Sequence, residues 1–225
     1  ERRPSVAATR IGIDETSYQK RHEYVTVVVD IDDPKVLHVA NDRKSESLEA
    51  FFEGLSEEQL EAIEVVAMDM WKPFIRATEK YVPDAARKIA FDKFHVAQHL
   101  GNAVDKVRRG EHRELMREGD RTLIGSKHMW LQNPDNMSDK VWHVVFKELK
   151  NKALRTSRAW VFKEHAMCLW KYVRRGWAEK GWKRWLHGAL RSSLEPVKRV
   201  ARMVRDHLGG IINAIVLDAT NASAE

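Results

Sequence analysis

Three aspartates in this chain each follow a short apolar run: Asp14 after Ile11-Gly12-Ile13, Asp69 after Val65-Val66-Ala67-Met68, and Asp92 after Ile89-Ala90-Phe91. A carboxylate at the end of a buried strand is costly unless it is paired or holds a metal. Three strands that each end in Asp would gather carboxylates at one edge of a sheet. Oxygen ligands of this kind suit hard divalent cations; Mg²⁺ takes one or two carboxylates and completes its shell with water and substrate phosphates. Two such ions about 4 Å apart support in-line displacement at a phosphorus centre. Asp14 and Asp69 are well placed to supply ligands. A third acid is expected from a helix beside the same edge, with Glu225 the candidate on position and Glu15 and Asp92 the others. Gly12, beside the first acid, lets another group approach the backbone closely.

The segment Asp92-Lys93-Phe94-His95-Val96-Ala97-Gln98-His99 offers a second chemistry. His95 and His99 are four apart, on one face of a helix, with Asp92 a turn earlier. That spacing can bind zinc, but the glutamate of a zincin helix and a clear third ligand are missing. The competing reading is a core-facing His95 that hydrogen-bonds near the acidic cluster. No Gly-rich phosphate loop, Gly-x-Ser-x-Gly elbow or Cys/His nucleophile pair is present.

At 225 residues, 43% of them hydrophobic and 32% charged, the chain can hold one large folded domain or a core with an insertion. No apolar run approaches the roughly 20 residues that span a bilayer. Glu1-Arg2-Arg3-Pro4 lacks the apolar region of a signal peptide, so a cytoplasmic location is expected. The single cysteine, Cys168, excludes an internal disulfide or a cysteine-based zinc finger within this chain. Its neighbours Ala166, Met167 and Leu169 make it read as a small core residue.

Charge is unevenly spread. Residues 1–100 carry 14 Lys/Arg against 19 Asp/Glu, and residues 101–225 carry 25 against 14. Seven of the eight tryptophans also follow residue 100. An acidic front half and a basic, Trp-rich back half fit a catalytic core joined to a polyanion-binding part; a solvated helical surface is the plainer alternative. From Arg155 to Arg205 there are fourteen Lys/Arg and only three acids, and phosphate neutralisation supplies most salt-dependent affinity for DNA. The candidate phosphate contacts are Arg155, Arg158, Lys163, Arg174, Arg175, Lys183, Arg184 and Arg191. Tryptophans 160, 170, 177, 182 and 185 are interleaved with them, and Trp at helical spacing is more often core than a base-stacking platform.

These residues need elements to position them. Thr9 to Ser17, the β-branched run Tyr24 to Val29, and Lys35 to Val39 predict a meander of three antiparallel strands, with turn residues at Asp30-Ile31-Asp32-Asp33-Pro34. Leu48, Phe51, Phe52 and Leu55 have helical spacing. Glu64 to Met68 and Arg87 to Phe91 read as a fourth and fifth strand, with helix near 72–81 between them. The order is β-β-β-α-β-α-β, a mixed sheet with helices. After His95 only helices are predicted, broken by Gly119, Gly125 and Asn133-Pro134-Asp135-Asn136, bent at Gly176 and Gly181, and stopped at Gly209-Gly210.

Assembled, the chain resembles the transposases of one bacterial insertion-sequence family, the L-three (ISL-three) family. The resemblance rests on Gly12-Ile13-Asp14-Glu15, Met68-Asp69-Met70-Trp71, Asp92-Lys93-Phe94-His95, Ser157-Arg158-Ala159-Trp160 with Lys163-Glu164, and Asn221 followed by Glu225. It implies an α/β fold: an RNase H-like mixed five-stranded sheet with helices, plus an all-α insertion before the last catalytic acid. The expected divisions are a core over 1–100, a basic Trp-rich helical insertion over 101–208, and a return to the core over 209–225.

The resemblance further implies a DDE transposase, in which Mg²⁺ (or Mn²⁺) held by Asp14, Asp69 and Glu225 supports DNA strand cleavage and strand transfer. Asp92 is the alternative second acid. Double-stranded DNA at the element ends and target is the implied partner, bound by a homodimer or higher assembly in the bacterial cytoplasm, associated with the nucleoid and not with a membrane. Such proteins carry zinc-finger and helix-turn-helix parts before the core, and a helix around the final acid. The expectation here is therefore a fragment. The rival readings are an RNase H-like nuclease without strand transfer and an inactive, truncated DNA-binding remnant.

Overall fold

The structure, a computed structural model, describes residues 8–19, 23–33, 35–41, 45–139, 147, 149, 152 and 154–219; the side chains at 16–19, 23 and 24 fall outside that description. Val25-Thr26-Val27-Val28-Val29 has the branched side chains that pack well on a pleated surface. Asp30 then turns the chain, accepting from the backbone N–H groups of Asp32 (2.9 Å) and Asp33 (3.2 Å). The result is an antiparallel meander of β1 (Arg10–Gln19), β2 (Glu23–Asp30) and β3 (Lys35–Asn41). β4 (Val65–Met68) and β5 (Ile89–Phe91) are short and buried at every position, as strands of parallel sheets are. β4 pairs parallel with β1, and β5 parallel with β4, giving the order β3-β2-β1-β4-β5. This is the mixed five-stranded sheet of an RNase H-like core.

Helices fill the connections. α1 (Ser45–Glu53) buries Leu48, Phe51 and Phe52. α2 (Glu57–Ala62) opens with a capping box, in which Gln59 N–H donates to the Ser56 hydroxyl (3.3 Å) and Ser56 N–H to the Gln59 side chain (2.9 Å). α3 (Lys72–Tyr81) carries Pro73 in its first turn, where a missing N–H does no harm. The fifth strand is shorter than its sequence predicts. Asp84, with φ 55°, starts the single-turn helix α4 (Ala85–Lys88), which takes Arg87 and Lys88 out of the strand.

The chain divides into two compact units: residues 1–95, 172–175 and 207–225 form one, and residues 96–171 and 176–206 the other. The helices after β5 are α5 (Lys93–Arg117), α6 (Lys127–Leu131), α7 (Arg155–Leu169), α8 (Arg175–Arg191), α9 (Glu195–Asp206) and α10 (Leu208–Val216). Among its described residues the second unit contains no strand. Trp130, Trp182 and Trp185 are fully buried there. Trp182 meets Trp185 and Trp170 nearly edge-on, at 5.6 and 5.9 Å between ring centroids, a favourable packing for aromatic quadrupoles.

Several features depart from the sequence reading. Gly181 is buried inside α8, and Gly176 is its second residue, so the helix continues where a bend is expected. Cys168 is exposed: the buried positions of α7 run through Ala159, Lys163, Ala166 and Leu169, which leaves Cys168 facing outward. Gly209 and Gly210 do not stop a helix; they lie in the first turn of α10. A Cβ on Gly210 would come within 2.4 Å of the Phe91 ring, so the glycine is required for close approach rather than for a turn.

Two buried polar groups hold the units' helices in place. In the first unit, Asn213 donates to the carbonyls of Ala86 (3.0 Å) and Ile89 (2.8 Å) and accepts from Arg175 (2.8 Å). In the second, the Glu111 carboxylate accepts from the N–H groups of Arg155 (2.7 Å) and Thr156 (2.8 Å) and from the Thr156 hydroxyl (2.6 Å). The start of α7 has no cap from Leu154, and an acid from another helix takes that role.

Two stability outcomes follow. Gly210→Ala lowers unfolding free energy by about 1–3 kcal/mol, measured by urea titration, and Phe91→Leu added to that variant recovers part of the loss. Glu111→Ala lowers it by about 2–4 kcal/mol, because two backbone N–H groups and a hydroxyl lose a charged acceptor.

Candidate metal centre and nucleic-acid surface

The parallel register sets the geometry of the acidic edge. Gly12 pairs with Ala67, and Ala67 with Ala90, so three small residues form one row across β1, β4 and β5. Two residues on from that row come Asp14, still within β1, and Asp69 and Asp92, each the first residue past its strand. Asp92 N–H donates to the Met68 carbonyl (3.2 Å), which carries the ladder to this level. Asp14 on β1, and Asp69 and Asp92 directly after β4 and β5, therefore come to the same end of the sheet. A pattern of small residue, any residue, Asp occurs before each strand end (Gly12-x-Asp14, Ala67-x-Asp69, Ala90-x-Asp92), a signal the sequence reading passed over.

The surroundings of the acids differ. Asp14 is half-buried, and its carboxylate accepts from the N–H of Glu15 (2.7 Å). Asp69 has a side chain 42% exposed and accepts from the N–H of Met70 (2.6 Å). The Nδ1 of His95 lies 3.8 Å from the same Asp69 oxygen, an ion pair only when the ring is protonated. Asp92 is 5% exposed and accepts from the N–H of Phe94 (2.7 Å), so its carboxylate caps the start of α5. Glu15 follows Asp14 in the strand and falls on the opposite face. His99 is exposed. Glu225 lies outside the described residues.

This donor set suits a hard cation. Asp14 and Asp69 belong to the same sheet edge, and the second is open to solvent; Mg²⁺ takes one or two carboxylates when substrate phosphate and water supply the rest. Among the described residues, no three His, Cys, Asp or Glu side chains form a group that could hold a metal ion, and this holds for Asp14, Asp69 and Asp92 as well as for Asp92, His95 and His99.

The eight candidate phosphate contacts separate by burial. Arg158, Arg174, Lys183, Arg184 and Arg191 are exposed. Lys163 has a side chain only 7% exposed; its ammonium is 2.7 Å from Glu164 and 3.4 Å from the carbonyls of Leu131 and Gln132, at the end of α6. Arg155 pairs with Glu111 and Glu114. Arg175 is exposed and donates to Asn213. No helix among the described residues is long and apolar enough to cross a membrane.

Comparison with known proteins places this arrangement. The family of DDE transposases of the ISL3 type, described as "Transposase", matches residues 11–225. The transposase for insertion sequence element IS1001 of Bordetella parapertussis is 31% identical over 205 residues, covering 90% of this chain and 50% of that protein. The transposase for insertion sequence element IS1557 of Mycobacterium tuberculosis is 25% identical over 221 residues, covering 88% and 49%. The chain thus spans about half the length of these relatives. No solved structure matches. With its family matched from β1 to the last residue, the chain belongs to the ISL3 family of DDE transposases.

Proposed function

We propose that this chain is the catalytic part of a transposase that cuts DNA at the end of an insertion sequence and joins the freed 3′-hydroxyl to target DNA. The observation that supports this reading is the parallel pairing of β1 with β4 up to Gly12 and Ala67, which brings the strand carrying Asp14 and the strand end followed by Asp69 to one edge of the sheet. Chemically, hydrolysis breaks one phosphodiester, and the new 3′-hydroxyl then replaces another alcohol at a target phosphodiester. A bound Mg²⁺ or Mn²⁺ polarises a phosphoryl oxygen and makes a water or hydroxyl a better nucleophile. Asp14, Asp69 and Glu225 are the residues that hold the metal. The N–H groups of Glu15 and Met70 fix the first two carboxylates before anything binds, which reduces the ordering required in the loaded site. Asp69 is preferred to Asp92 as the second acid because Asp92 is buried and engaged as a helix cap.

The helical unit supplies the grip on DNA. Its exposed cations, Arg158, Lys183, Arg184 and Arg191, neutralise backbone phosphates without reading sequence. Arg174 joins them in the proposed contact set. Lys163 holds the end of α6 instead. Joining two element ends to one target calls for at least two copies of the catalytic chain, a homodimer or more on DNA, acting on the chromosome in the bacterial cytoplasm.

The reading is tested with a labelled duplex carrying the element end, with and without Mg²⁺. Cleaved and joined products are expected, and Asp14→Asn or Asp69→Asn lowers both by more than about 100-fold with DNA affinity retained. Asp92→Asn acts mainly through stability, lowering the unfolding midpoint. Cleavage without joined products identifies a nuclease, and metal-independent binding without cleavage identifies a non-catalytic relic; either outcome overturns the proposal.

Salt dependence tests the grip. Lys183→Ala and Arg184→Ala each reduce the slope of log affinity against log salt by about 1, measured by fluorescence anisotropy, whereas Lys163→Ala lowers stability and leaves the slope unchanged.

A further inference from the structure

Trp177 differs from the other tryptophans of the helical unit. Trp130, Trp160, Trp182 and Trp185 are buried, whereas Trp177, the third residue of α8, is 59% exposed. The helix's own packing does not need it. Ala178, Trp182, Trp185 and Ala189 form the buried side of α8. At 100° per residue, Lys180, Arg184, His187 and Arg191 fall on the exposed side with Trp177. All four are exposed, and Glu179, the acid of this helix, lies on the flank away from their row. The Lys180 ammonium lies 5.6 Å from the Trp177 ring centroid. α8 therefore presents an indole at the head of a row of cations that extends about 16 Å, at 1.5 Å of rise per residue, from Lys180 to Arg191.

A row of cations and an exposed ring select between two forms of DNA. A duplex offers its phosphates to the cations, but its base faces are stacked on one another and offer nothing to an indole on a convex helix. An unpaired strand offers both: phosphates for the cations and a free base face for the ring. We infer that α8 binds DNA that is locally unpaired, with Trp177 stacked on an exposed base while Lys180, Arg184 and Arg191 hold the adjoining phosphates. The inference rests on the proposed transposase function and names the form of DNA that the helical unit recognises. The row of positive charge argues for a polyanion rather than a protein surface as the occupant.

The test compares the chain, Trp177→Ala and Trp177→Phe on a fully paired duplex and on the same duplex with a short single-stranded end. Wild type is expected to prefer the open end. Trp177→Ala weakens binding to the open end by about tenfold and leaves paired-duplex affinity unchanged. Trp177→Phe keeps a stacking ring and restores most of the preference. A 2-aminopurine in the unpaired end is quenched by wild type and by Trp177→Phe, but not by Trp177→Ala. An equal loss on both DNAs, no loss on either, or a change confined to self-association overturns the inference. Metal-dependent cleavage with an indifferent Trp177 sinks this inference alone; no DNA binding by wild type sinks the proposed function with it.

Discussion

The acidic edge exists because two parallel strand pairings hold their register. β1, β4 and β5 come from distant parts of the front half, and each parallel pairing spans only three residue pairs. Both faces of β4 and β5 are covered, so a slip of one residue would set every side chain of the slipped strand against the wrong buried surface and carry the acid that follows it away from the edge. Carboxylates brought to one edge of a sheet repel one another the more closely they approach. Backbone N–H groups of Glu15, Met70 and Phe94 each meet one of them.

The three acids share an edge without sharing a role. Asp92 is tied to the helix that follows it, and Asp69 keeps an open side toward solvent beside His95. The difference arises from what comes next in the chain. α5 begins one residue after Asp92 and draws the carboxylate back onto its first turn, whereas Trp71 and Pro73 delay α3 enough for Asp69 to remain outside it.

Legibility in the sequence followed the range of the interaction. The meander was readable from β-branched runs and an Asp-rich turn, both local signals, and each candidate acid was visible as the end of an apolar run. Registration between strands was not readable, because parallel pairing leaves no mark within either strand. Glycine was misread twice for one reason. At Gly210 its value is the absence of a Cβ against the Phe91 ring, and Gly181 is simply a buried position inside a helix, whereas punctuation is the reading glycine's flexibility suggests. Glu111, Asn213 and Lys163 carry the same lesson for polar groups. Their residue types predict solvent exposure, and only the fold shows them satisfying backbone groups far along the chain.

Arg10 begins the strand that carries Asp14, and its guanidinium holds the carbonyls of Leu217 (3.1 Å) and Asp218 (3.0 Å) where α10 ends. Asn213 ties the same helix to the carbonyl of Ile89 on β5. Of the stretch between residues 96 and 206, only Tyr172–Arg175 belongs to the same unit, and Arg175 donates to Asn213. The tail leading to the final glutamate thus departs from an anchorage belonging to the sheet, whatever the contour length of the intervening stretch. Loop-closure entropy grows only logarithmically with such a length. The length of that stretch therefore adds little to the cost of closing β1 and β5 against α10.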